Sequence, residues 1–110
     1  MIRIPLRTIN PLNKREHWRS RAARVRAERL ATLCGLLERY GTVLIPALPV
    51  TVTLTRESVR AMDTDGLAAS FKGVRDEVAR WLGVDDADSD VEWRYQQRKA
   101  KGFHVVIEFS

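Results

Sequence analysis

The sequence predicts an α+β fold: one domain over residues 1–110, with a mixed or antiparallel sheet packed by two helices in the order β-α-β-α-β-β. Three observations carry this. Apolar residues alternate with polar ones at Ile2, Ile4 and Leu6, again at Val50, Val52 and Leu54, and in two stretches near the end of the chain, which is the period of a half-buried strand. Two longer segments instead space their apolar residues by three and four, the stripe of an amphipathic helix. A chain of 110 residues with 45% hydrophobic content holds enough apolar side chains for one core and no more.

The elements follow in order. "MIRIPLR" reads as a short strand, and "TINPLNK", with its proline between asparagines, as a loop. From Arg19 to Tyr40 the pattern is helical, with Ala22, Val25, Leu33, Leu36 and Tyr40 on one stripe and Gly41 as the stop. Arg26 and Arg29 project towards that stripe and are expected at the edge of a groove. "LPVTVTLTRES" is a strand with an apolar and a threonine face. A second helix is predicted from Asp65 to Leu82, closed by Gly83, with Leu67, Phe71, Val74, Val78, Trp81 and Leu82 inward. "DVEWRYQQ" and "FHVVIEF", joined by "RKAKG", are expected to form an antiparallel hairpin.

The single cysteine, Cys34, excludes an internal disulfide and fits a reducing compartment. Its leucine neighbours predict a buried, inert thiol. No apolar run approaches the roughly 20 residues of a membrane span, and no signal-type run follows the basic start. A soluble cytoplasmic protein is expected, with no membrane partner and no small-molecule cofactor.

Charge is unevenly placed. The chain carries a net +5, yet residues 1–41 hold ten basic residues against three acids. A second basic group, Arg94, Arg98, Lys99 and Lys101, lies near the C-terminus. Arginine dominates, and its planar fork suits phosphate, so a nucleic acid is the expected partner. The candidate contacts are Arg15, Arg19, Arg21, Arg24, Arg26, Arg98, Lys99 and Lys101. The alternative is a merely soluble basic surface. His17 and His104 read as structural or DNA-facing residues. Trp18, Trp81 and Trp93 read as core or dimer-contact residues.

Inside this basic chain, residues 60–90 gather eight carboxylates: Asp63, Asp65, Asp76, Glu77, Asp85, Asp86, Asp88 and Asp90. At roughly 100° per residue, Lys72 and Asp76 fall within about 20° of Asp65's direction, opposite the apolar stripe. Asp63, two residues earlier, projects to the same side in extended backbone. Carboxylates this close resist joint ionisation unless a cation is present. Oxygen ligands with no histidine or cysteine select Mg²⁺, with Mn²⁺ as a substitute, over zinc. "DTDG" also reads as a turn or helix cap, and "DDADSD" as a solvated loop. A calcium loop is excluded, because Val91 and Gln97 stand where its glycine and closing glutamate belong.

The run Asp63-x-Asp65, Leu67, Lys72-x-x-x-Asp76, Val78, then Asp85-Asp86-Ala87 resembles the RusA-type Holliday junction resolvases of bacteria and their prophages. Their pattern is close to D-x-D-N-L-x-K-x-x-x-D-x-L followed by D-D-(A/S)-x-V. "VEWRYQQRKAKG" with the closing "VVIEF" strand resembles the family's C-terminal hairpin. The resemblance implies a homodimeric, magnesium-dependent endonuclease that nicks branched DNA such as a four-way junction. It implies Asp63, Asp65 and Asp86 as metal ligands and catalytic residues, Lys72 as the catalytic lysine, and Asp76 and Asp85 as accessory acids. A non-catalytic DNA-binding protein with a decayed metal site is the alternative.

Overall fold

The computed structural model describes residues 1–11 and 16–110. It is an α+β domain with a four-stranded mixed sheet and three helices. The elements are β1 (Ile2–Ile4), α1 (Trp18–Tyr40), β2 (Val50–Ser58), α2 (Thr64–Ser70), α3 (Lys72–Leu82), β3 (Val91–Lys99) and β4 (His104–Phe109). Strand order in the sheet is β1-β4-β2-β3.

The expected hairpin is not formed. β3 pairs in parallel with β2, from Val50↔Val91 to Ser58↔Lys99, and β4 pairs antiparallel with β2 on its other side. Residues 100–103 therefore arch over the end of β2, where the Ala100 N–H donates to the Ser58 carbonyl at 2.9 Å. Four extended residues reach about 13 Å, enough to cross two strand spacings of about 4.8 Å. β2 takes the centre because its second half, Leu54 to Ser58, is buried without interruption. A central position satisfies its backbone on both edges.

Alternation divides the sheet into two faces. Val50, Val52 and Leu54 share one with Ile2, Ile4, Val105 and Ile107, and pack against Leu36, Leu67, Phe71, Val74, Val78 and Trp81 from the helices. Thr51, Thr53, Thr55 and Glu57 lie on the other.

The predicted second helix is two helices. Phe71, at φ −91° and ψ 4°, ends α2 and opens α3, and its N–H bonds to the Ala68 carbonyl as a tight turn. Its side chain is fully buried and stacks on Tyr95 with ring centres 5.9 Å apart. Burial of this ring against β3 redirects the chain, so the angular relation of Asp65 to Lys72 and Asp76 expected of one straight helix does not hold.

Helix α1 departs from its predicted stripe. Glu28, Thr32 and Leu36 are its buried residues, and Cys34 is exposed, so the expectation of a buried thiol fails. The inner face is polar because α3 answers it. Arg29 Nε reaches Glu77 at 3.1 Å, and Gly73 lets α3 approach until a Cβ there would lie 3.3 Å from the Glu28 side chain. Of the tryptophans, Trp81 is in the core, Trp93 is half-buried and Trp18 is exposed, so the core reading fails for Trp18.

Candidate functional site

Asp63 is the N-cap of α2. Its Oδ1 accepts from the Gly66 N–H at 2.7 Å, satisfying a backbone donor that the first turn leaves open. Asp65 is exposed in that first turn, where the helix dipole favours a carboxylate. A side chain at position 66 would collide with both Asp63 Oδ1 and the amide of Asn10. Glycine therefore lets the loop after β1 close onto the start of α2, and brings in Asn10, a residue with no signal in the sequence beyond its loop context.

The acidic doublet does fold back. Asp86 leaves the far end of α3 and returns to its beginning, where its carboxylate meets Arg75 at 3.2 Å and its carbonyl accepts from Trp93 Nε1 at 3.1 Å. Arg75 is fixed in turn by a 2.8 Å bond to Tyr95 Oη and by lying over the Trp93 ring. These contacts place Asp86 in a groove of about 330 Å³ lined also by Ala68, Ala69, Lys72, Arg75 and Asp76. A neighbouring open groove of about 470 Å³ is lined by Asp76, Asp85 and Asp86 together with Arg80. The Ala87 N–H bonds to Asp85 and, with Asp86 beside it, holds the Asp85 carboxyl below its usual range.

Asp76, Asp85, Asp86 and Lys72 are thus brought to one end of the molecule, with Lys72 Nζ 3.5 Å from Asp76 Oδ2. Asp63 and Asp65 line neither groove. Among the described residues, no group of three or more histidine, cysteine or acidic side chains is placed to hold a metal ion together. Residues four apart share a face of a helix, so Asp65 stands one turn beyond Ala69, on the side of α2 that forms the groove wall.

No family model, curated protein or solved structure matches this chain.

The basic residues divide into two sets. Arg19, Arg21 and Arg26 are exposed along α1, and Lys99 and Lys101 are exposed at the end of β3. Arg24 is turned inward instead. It bonds to Glu16 and, at 2.6 Å, to the buried Glu28, so its guanidinium is committed to structure. Burial pushes the Glu28 carboxyl above its usual range, and Arg24 only partly offsets this. Arg98 pairs with Glu57 at 3.4 Å, and Arg94 pairs with Glu92. Arg15 lies outside the described residues. His17 caps α1 by accepting from the Arg19 N–H, and His104 lies 3.9 Å from Glu57. Among the described residues, no helix is long and apolar enough to cross a membrane.

Proposed function

We propose that this chain is a divalent-metal-dependent endonuclease acting on branched DNA in the manner of the RusA-type resolvases. The observation that carries the reading is the return of Asp86 to the groove beside Lys72 and Asp76, against the face of α2 that bears Asp65. Asp86, Asp65 and Asp63 are the proposed ligands, with Asp76 and Asp85 beside them. By chemical type the donors fit the group: all are carboxylates, and Mg²⁺ needs only one or two of these, which Asp86 and Asp76 in the shared groove can supply, completing its shell with water and phosphate oxygens. The Arg75–Asp86 pair is about one-third exposed on both sides. Exchanging such a half-buried pair for a cation costs on the order of 1 kcal/mol, which coordination of Asp86 by a dication can offset.

When bound, the cation would polarise the scissile phosphate and acidify a water. The chain's own residues supply the rest. Lys72, with three donors on an exposed stem, neutralises charge developing on the leaving oxygen. Arg75 is released from Asp86 and remains anchored by Tyr95, aimed at a phosphate oxygen. Arg19, Arg21, Arg26, Lys99 and Lys101 hold the backbone without reading sequence. Two copies, related by a twofold axis, would set the angle between the duplex arms and cut both strands.

A second reading is a non-catalytic binder of branched DNA. It is favoured by the commitment of Asp63 to capping and of Asp86 to Arg75, and by the absence of a three-ligand group among the described residues. A labelled four-way junction incubated with Mg²⁺ separates the two. The endonuclease leaves paired nicks that Asp86→Asn abolishes while junction binding persists. A chain that retards the junction and leaves it intact in both Mg²⁺ and Mn²⁺ is the binder.

A further inference from the structure

The C-terminal end of β2, with the loop 59–62 that leads on to α2, holds a second feature. Two adjoining pockets of about 370 and 240 Å³ share Arg56, Ser58, Val59 and Arg60, and among the described residues no acidic one lines either. Arg56 is only 8% exposed. Its Nη1 donates to the Arg60 carbonyl at 2.7 Å, but its Nε is buried with no hydrogen-bond partner among the described residues. A guanidinium withdrawn from water without a counter-charge is costly, and an idle buried donor adds to that cost.

Among the described residues no acid relieves it. Glu57 is the next residue, yet strand alternation puts it on the opposite face of the sheet, where Arg3, Arg98 and His104 surround it. Arg7 worsens the balance: after burial, its charge is what weakens the hold of Arg56 on its proton. The Arg7 guanidinium sits 4.7 Å from the centre of the Phe103 ring, so an aromatic face rather than an acid orients it and its donors stay available. Arg60 and Lys99, which also line these pockets, form no salt bridge among the described residues.

Cations that repel one another around a buried, unused donor form a site that an anion completes. Planar forked donors match the oxygens of a phosphate. The location ties the pocket to the groove already described. Gln97 grips Met62 by both its N–H and its carbonyl, at 3.0 and 2.7 Å, and Met62 leads directly to Asp63. The wall of the pocket and the start of α2 are thus one braced segment.

We propose that this pocket binds a phosphodiester of a nucleic-acid strand, with Arg56 as buried anchor, Arg7, Arg60 and Lys99 as its partners, and Phe103 against the adjoining nucleoside. The assignment rests on the nucleic-acid reading above and adds a fixed point that sets the strand's register relative to Asp63 and Asp65.

Side-chain Nε–H signals of arginine in the ¹⁵N-labelled chain, titrated with the dinucleotide pTpT, provide the test. The Arg56 signal is expected to shift. Arg7→Gln should weaken the titration about tenfold, the worth of one charge-assisted hydrogen bond. Phe103→Leu should weaken pTpT while sparing inorganic phosphate. An Arg56 signal that stays still at saturation, or an Arg7→Gln variant that binds like wild type, overturns the proposal. Equal binding of inorganic phosphate and pTpT, with Phe103→Leu silent, makes the pocket a free-anion site and also removes it. Junction cleavage tells the two claims apart. A wild type that shifts Arg56 but leaves no nicks retains the pocket and loses the endonuclease. An Arg7→Gln variant that binds pTpT and cuts at wild-type levels does the reverse.

Discussion

Substitution of Asp63 separates its two roles, because one replacement removes the charge alone and another removes the cap as well. Asn is as good an N-cap as Asp, since its side-chain oxygen accepts the same hydrogen bond. In Asp63→Asn the 2.7 Å bond from the Gly66 N–H is kept, and the melting temperature should stay near that of wild type. In Asp63→Ala the bond is lost, at a cost of about 1 kcal/mol. For a domain of this size that is a drop of about 4 °C. Cleavage should behave differently. A neutral amide is a poor ligand for Mg²⁺ beside Asp65 and Asp86, so both variants should lose paired nicking of a four-way junction. Thermal melts by circular dichroism, run beside the junction assay, give both readouts from one preparation. An Asn variant that melts with wild type and cuts with wild type refutes the metal role and leaves only the cap. An Asn variant that melts as low as the Ala variant refutes the capping argument.

Three further outcomes are expected. Phe71→Ala empties a fully buried site between α2, α3 and Tyr95, and should cost about 3–5 kcal/mol in urea unfolding; a loss below about 1 kcal/mol would mean that the ring does not hold the helix joint. Gly66→Ala should destabilise the protein, although glycine to alanine inside a helix ordinarily gains about 1 kcal/mol, and adding Asn10→Gly should lessen that loss by removing one of the two obstructing side chains, Asp63 remaining as the other. Glu28 has a folded-state pKa raised above its ordinary 4.5, chiefly by burial. The stability it contributes is therefore complete below about pH 4.5 and lost as pH rises through the folded value. Glu28→Gln should be the less pH-dependent protein between pH 4.5 and 7, with Arg24 still held by Glu16; equal slopes in the two proteins would show that Glu28 does not titrate on folding.

The elements were readable where a local period is strong. Val50, Val52 and Leu54 announce β2 by alternation, Gly41 and Gly83 announce the ends of α1 and α3, and the inward Val74, Val78, Trp81 and Leu82 of α3 follow from their spacing, whereas the burial of Glu77 does not. The residue types of the candidate site were equally legible, because carboxylates clustered in a basic chain are a feature of composition. What escaped depends on partners remote in sequence. The break at Phe71 is set by packing against Tyr95 on β3, and the inward turn of Arg24 by the burial of Glu28 against α3. The arch of residues 100–103 over β2, in place of a hairpin, is decided by which strand is buried enough to take the centre.

The α+β class, the position of most elements and the chemistry available to the protein are written in the order of residues, because periodicity and side-chain type are local properties. The return of Asp86 beside Lys72, the capping role of Asp63 and the burial of Arg56 among other cations, with no acid among the described residues to meet it, arise from the folded arrangement alone. Those outcomes depend on distances across the sheet and between helices. They are fixed when the whole core closes, and no window of neighbouring residues contains them.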